Sequence, residues 1–81
     1  MATNTFHVVI AHVDDTLFDG AAESVTVPGS AGVMTLLPHH EPITTTLKKG
    51  SITVKSGSET KTFSVDGGVL ECSQGRAVVL L

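Results

Sequence analysis

Turn-forming residues recur through this 81-residue chain at roughly the 8–12-residue spacing of a sandwich or barrel. Asp14-Asp15, Asp19-Gly20, Pro28-Gly29, Lys48-Lys49-Gly50, Ser56-Gly57-Ser58, Asp66-Gly67-Gly68 and Gln74-Gly75 punctuate it, and no piece between them carries a clear helical pattern. The pieces are rich in β-branched residues: eleven valines, eleven threonines and three isoleucines. Such side chains are stiff at χ1 and fit a pleated sheet better than a helix. The reading is all-β, a single domain over residues 1–81.

Alternation assigns the faces. In Thr5 to Val13, Phe6, Val8 and Ile10 share one side and His7, Val9 and Ala11 the other. The first set is expected in the core. The second is only half polar, which points to contact with another surface. Thr16 to Phe18 reads as a short extended piece and Asp19-Gly20 as a turn. Ala21 to Val27 reads as one strand with Val25 and Val27 inward and Ser24 and Thr26 outward. Ser51 to Lys55 and Thr60 to Val65 form a hairpin, and Val69 to Ser73 and Arg76 to Leu81 follow as strands.

The stretch Val25 to Leu47 holds all three prolines. Pro28-Gly29 is read as ending a strand in a tight turn, since proline fixes φ and glycine accepts positive φ. Val33 to Leu37 is extended, Pro38 stops it, and Pro42 biases Glu41 away from helix. Ile43 and Leu47 have helical spacing, but three threonines between them favour a strand.

A chain this short buries about 60–65% of its unfolded surface, so its core must be efficient. Net charge is −3, which gives no footprint for nucleic acid or anionic lipid. The lone Cys72 cannot form an internal disulfide and reads as a small apolar filler. No apolar run approaches a membrane span, so no direct membrane insertion is expected, and Met1 to Thr5 lacks the pattern of a signal peptide.

No constellation argues for an active site. His39-His40-Glu41 is the most ligand-like cluster, but neighbours in extended backbone point to opposite sides and do not readily share an ion. His7 and His12 are opposed by the same parity. Asp14, Asp15 and Asp19 form no calcium-type ladder. Glu71 is outward by alternation, Pro28 to Gly32 is no nucleophile elbow, and the glycine pairs are too sparse to cradle a phosphate. No catalytic residue, metal ligand or cofactor is assigned.

The residues Pro28-Gly29-Ser30-x-Gly32-x-Met34-x-Leu36-Leu37-Pro38-x-His40-x-Pro42 resemble the fingerprint of the epsilon subunit of F-type ATP synthase, in its N-terminal β-sandwich domain. Phe18-Asp19-Gly20 before Glu23-Ser24-Val25, Leu47-Lys48-Lys49-Gly50, Gly67-Gly68-Val69-Leu70-Glu71-Cys72-Ser73 and Ala77 to Leu80 are similar to further family motifs. Together they cover nearly the whole chain in order. The chain departs from the family at Ala31 or Val33, where an acidic residue is common, and at Thr35 and His39, where glycine is common.

The resemblance implies a two-layer antiparallel β-sandwich of about ten short strands and a non-catalytic role. That role is a rotor subunit bridging the gamma subunit and the polar loops of the membrane c-ring, peripheral on the cytoplasmic face of an energy-transducing membrane. Ser30, Ala31, Gly32 and Val33 would approach the ring; His12, His40 and Thr45 would approach gamma. In the family the last strand leads into a pair of helices. The sequence stops at Leu81 before them, so nucleotide binding and inhibition by that arm are not expected of this stretch. The alternatives are a free-standing β-sandwich protein-binding module and, more weakly, a small hydrolase built on the histidines.

Overall fold

The computed structural model describes residues 4–39, 42–73 and 75–81. They form nine strands: β1 (Phe6–Ala11), β2 (Thr16–Ala22), β3 (Ser24–Gly29), β4 (Gly32–Leu36), β5 (Ile43–Leu47), β6 (Gly50–Ser56), β7 (Glu59–Val65), β8 (Gly68–Ser73) and β9 (Arg76–Leu80). They pair in one curled sheet, in the order β2-β1-β9-β8-β5-β3-β6-β7, with β4 on β3. Strands β3 and β5 meet at a single position, Gly29 with Leu47. That narrow hinge divides the sheet into two layers, β2-β1-β9-β8-β5 and β4-β3-β6-β7.

The layers also meet at the opposite side. The Glu23 amide donates to the Lys55 carbonyl at 2.8 Å, and the Ser56 hydroxyl donates to the Ala21 carbonyl at 2.8 Å. Phe18 of β2 and Phe63 of β7 pack edge to face, with ring centroids 6.4 Å apart, and the Lys61 ammonium lies 5.7 Å from the Phe18 centroid. Between the layers lies one apolar core. Phe6, Val8, Ile10, Leu47, Leu70 and Val79 come from the first layer, and Val25, Val27, Leu36, Ile52, Val54 and Val65 from the second. The expected inward faces of β1 and β3 are those observed, because a period-two pattern leaves only one face apolar enough to bury.

Four expectations change. Asp19-Gly20 is not a turn: both lie in β2, opposite Val9 and Val8, and the reversal sits at residues 12–15, where the His12 amide donates to the Asp15 carbonyl at 2.7 Å. Ala21 to Val27 is not one strand, since the chain breaks at Glu23 between β2 and β3. The sheet is not wholly antiparallel: β1 and β9 run parallel. These two are joined by a crossover through the second layer rather than by a hairpin, so no tight turn dictates their direction.

The fourth change concerns Pro28-Gly29, which does not turn. Both lie in β3, and the reversal is Ser30-Ala31. Proline has no N–H to give to a ladder, and it stands where β3 has left β6 and is about to meet β5. Glycine follows because a Cβ at Gly29 would lie 2.8 Å from the carbonyl oxygen of its partner Gly32.

His39 holds φ at 66°, the left-handed region where a side chain crowds its own backbone. A glycine there removes roughly 1–2 kcal/mol of strain against about 0.5–1 kcal/mol of added chain entropy. His39→Gly is therefore expected to raise stability by about 0.5–1 kcal/mol, read as a higher urea midpoint at unchanged slope.

Candidate functional site

Two surfaces stand out, one on a sheet face and one on a hairpin tip. On the first layer, strand register sets side chains in rows. Val9 lies between Asp19 of β2 and Val78 of β9, and Val78 is opposite Glu71 of β8. Ala11 is opposite Leu80, Leu80 opposite Val69, and Val69 opposite Thr46 of β5. Since their chain neighbours Val8, Ile10, Leu70 and Val79 are buried, all these residues point outward.

The centre of this outer face is apolar. Leu80 is 58% exposed and Val69 42%, with Val9, Ala11 and Val78 half-buried beside them. Its rim is polar. The His7 Nε2 donates to the Asp19 carboxylate at 2.6 Å, Arg76 pairs in register with His7, and Glu71, Thr44 and Thr46 lie on the other side. The His7–Asp19 pair is half-exposed, so it contributes little to stability.

The second surface is the β3–β4 tip. The Ser30 amide donates to the Thr46 carbonyl at 3.0 Å. The Ser30 hydroxyl donates to that same carbonyl at 3.0 Å and lies 2.5 Å from the Thr46 hydroxyl. Just behind, the Lys48 amide donates to the Pro28 carbonyl at 2.9 Å. The tip is thus bolted to β5, and beyond it Ala31 is exposed and Val33 is 74% exposed.

Of the site residues read from sequence, Ser30, Ala31, Gly32 and Val33 fall together on this tip. His12 is exposed just past β1, one residue beyond Ala11. Thr45 is opposite the buried Leu70, so it is turned to the core side and half-buried; its neighbours Thr44 and Thr46 carry the outer surface. His40 lies outside the described residues. Val69, Val78 and Leu80 were not singled out from sequence. Their signal is the nearly unbroken apolar run Ala77 to Leu81, which marks a strand covered on both faces.

Among the described residues no cluster of potential ligands converges on a point, and no pocket is enclosed. Cys72 is buried, and that burial pushes its thiol pKa up. This is the environment of an inert filler rather than of a reactive thiolate.

Residues 5–81 match the profile of the ATP synthase delta/epsilon chain β-sandwich domain. The chain belongs to this family. One curated relative, an ATP synthase epsilon chain of Delftia acidovorans, is 37% identical over 79 residues, which are 95% of this chain and 56% of the relative. Another, the epsilon chain of Leptospira interrogans, is 32% identical over 80 residues, 99% of this chain and 63% of the relative. The chain therefore spans a little over half the length of these relatives.

Two solved structures share the fold. A chain in the Euglena gracilis mitochondrial ATP synthase superposes with TM-score 0.89 at 18% identity, over 95% of this chain and 50% of that one. One from the Tetrahymena thermophila mitochondrial ATP synthase, in its central stalk and c-ring, superposes with TM-score 0.77 at 12% identity, over 91% of this chain and 60% of that one. At these identities the likeness speaks to fold.

Proposed function

We propose that this delta/epsilon-family domain is a non-catalytic central-stalk piece of a proton-translocating F-type ATP synthase, seated between the gamma subunit and the c-ring. The observation that carries it is the apolar outer face of β1, β9 and β8, an exposed patch with a polar rim of the kind that marks a protein interface. That face, with His12 at its margin, meets gamma; the latched Ser30 to Val33 tip meets the polar loops of the ring. His40 belongs to the gamma contact in this reading, whereas Thr45, turned to the core side, does not, and Thr44 and Thr46 carry the outer surface in its place. The work asked of the domain is mechanical. Two layers closing on an apolar core at crystal-like packing density resist deformation, which holds gamma and ring together as they turn. No described helix is long and apolar enough to cross a membrane, and the domain acts from the cytoplasmic face as a peripheral part of the complex.

Co-purification with gamma tests this. The wild-type chain is expected to form a stable complex with gamma. Leu80→Asp is expected to weaken it by about 2 kcal/mol or more, near thirtyfold, because it puts a charge in the apolar centre. Circular dichroism of that variant should match wild type, since Leu80 is exposed. Gamma binding by Leu80→Asp at wild-type strength would sink the assignment of this face.

A further inference from the structure

We propose that the Ser30 to Val33 tip is a preformed, charge-free contact surface that docks an uncharged patch of the c-ring loops, with Ser30 as the positioning residue that holds it. This rests on the stalk reading above and adds the chemistry of the partner surface.

From Ser24 to Pro38 the chain has no Asp, Glu, Lys or Arg. Along the sequence, each of the other segments between strands has a charge in it or next to it: Asp14 and Asp15, Glu23, Glu41, Lys48 and Lys49, Glu59, Asp66, Arg76. The β3–β4 turn is the exception, and it presents Ala31 and Val33 to solvent instead. Its nearest charged residue by bonding is Lys48, whose amide is tied to Pro28, two residues before the tip. A surface without charge has nothing to gain from a charged partner and would leave that partner's ion desolvated and unpaired. It fits small apolar or neutral polar side chains.

The latch explains how so small a contact can bind. Ser30 spends its amide and its hydroxyl on Thr46, so the tip is already ordered before docking and loses little freedom on contact. Thr46 also ends the row Ala11–Leu80–Val69–Thr46, so tip and outer face form one continuous surface through this latch.

The test is binding of the full chain to a gamma–c-ring complex in detergent, with the ring alone as a second probe. Ring affinity is expected to change by less than about threefold between roughly 50 and 500 mM salt, because a neutral contact is not screened. Ala31→Asp is expected to weaken ring binding about tenfold or more and to introduce salt dependence. Ser30→Ala should also weaken it, with faster amide exchange at Ser30, while Ser30→Thr restores both. If Ser30→Ala is too unstable to assay, Ala31→Asp decides alone. A steep salt dependence in the wild type, or wild-type ring binding by Ala31→Asp, overturns the proposal; gamma binding lost in Leu80→Asp would then still leave the stalk reading standing. A wild-type chain that binds neither probe overturns both.

Discussion

Val25→Asp is expected to leave no folded population in neutral buffer at 25 °C. Val25 is fully buried in β3, between Leu36 of β4 and Val54 of β6, themselves buried. Among the described residues no polar side chain is buried, so an introduced carboxylate finds no partner there. Burying it unpaired costs several kcal/mol, against a total stability of about 4–12 kcal/mol for a chain of this length. The pH dependence gives the effect a signature. A carboxyl forced into this core would have a folded-state pKa above its unfolded value near 4. Its neutral form is therefore favoured below that value, and the stability is lost as pH rises through the folded pKa. The variant should gain structure on mild acidification, where the wild type gains none. Val13→Asp is the control: Val13 is 93% exposed, and the change should shift stability by less than about 0.5 kcal/mol. Native-like NMR dispersion of Val25→Asp at neutral pH would refute the assignment of β3 to the core.

Strand existence and facing were legible in the sequence because both follow from local chemistry. Phe6, Val8 and Ile10 alternate with weaker neighbours, so their burial could be read directly, and so could that of Val25 and Val27. The hairpin of β6 and β7 was legible for the same reason, with Gly57-Ser58 as its turn. What sequence left hidden is long-range. Asp19-Gly20 has the composition of a turn, yet pairing with β1 holds it extended, and Phe18 folds within 3.6 Å of where a Gly20 Cβ would stand. The parallel meeting of β1 with β9 is equally invisible to local rules, and the outer apolar face depends on it. Val9 and Val78 become neighbours only once β9 slots beside β1. The Ser30 to Val33 tip was legible as a turn region from its proline and glycines, but its latch to Thr46 was not, since that bond spans sixteen residues.

Gly68→Ala is expected to destabilise the domain by about 3 kcal/mol or more, through two effects that add. Gly68 holds φ at 153°, a conformation essentially confined to glycine and worth roughly 1–3 kcal/mol of strain for any other residue. A Cβ there would also stand 2.5 Å from the Leu80 carbonyl oxygen and 2.9 Å from Leu81 Cδ2, and such overpacking costs roughly 1–3 kcal/mol more. The carbonyl cannot simply step aside, because Leu80 is held in register between Val69 and Ala11. The position matters beyond its own strand. Gly68 pairs with Leu47, and Leu47 pairs with Gly29, the register pair at which β5 meets β3. Two of the three residues in this row lack a Cβ, which lets the sheet turn from one layer into the other. Gly57→Ala is the comparison: φ there is 61°, but nothing lies within 4 Å of the added methyl, so only about 1–2 kcal/mol of backbone strain is expected. Denaturant midpoints should rank wild type, then Gly57→Ala, then Gly68→Ala. If the Gly68 variant were as stable as the Gly57 variant, β8 and β9 would not approach this closely, and the row of residues that bends the sheet would need another explanation.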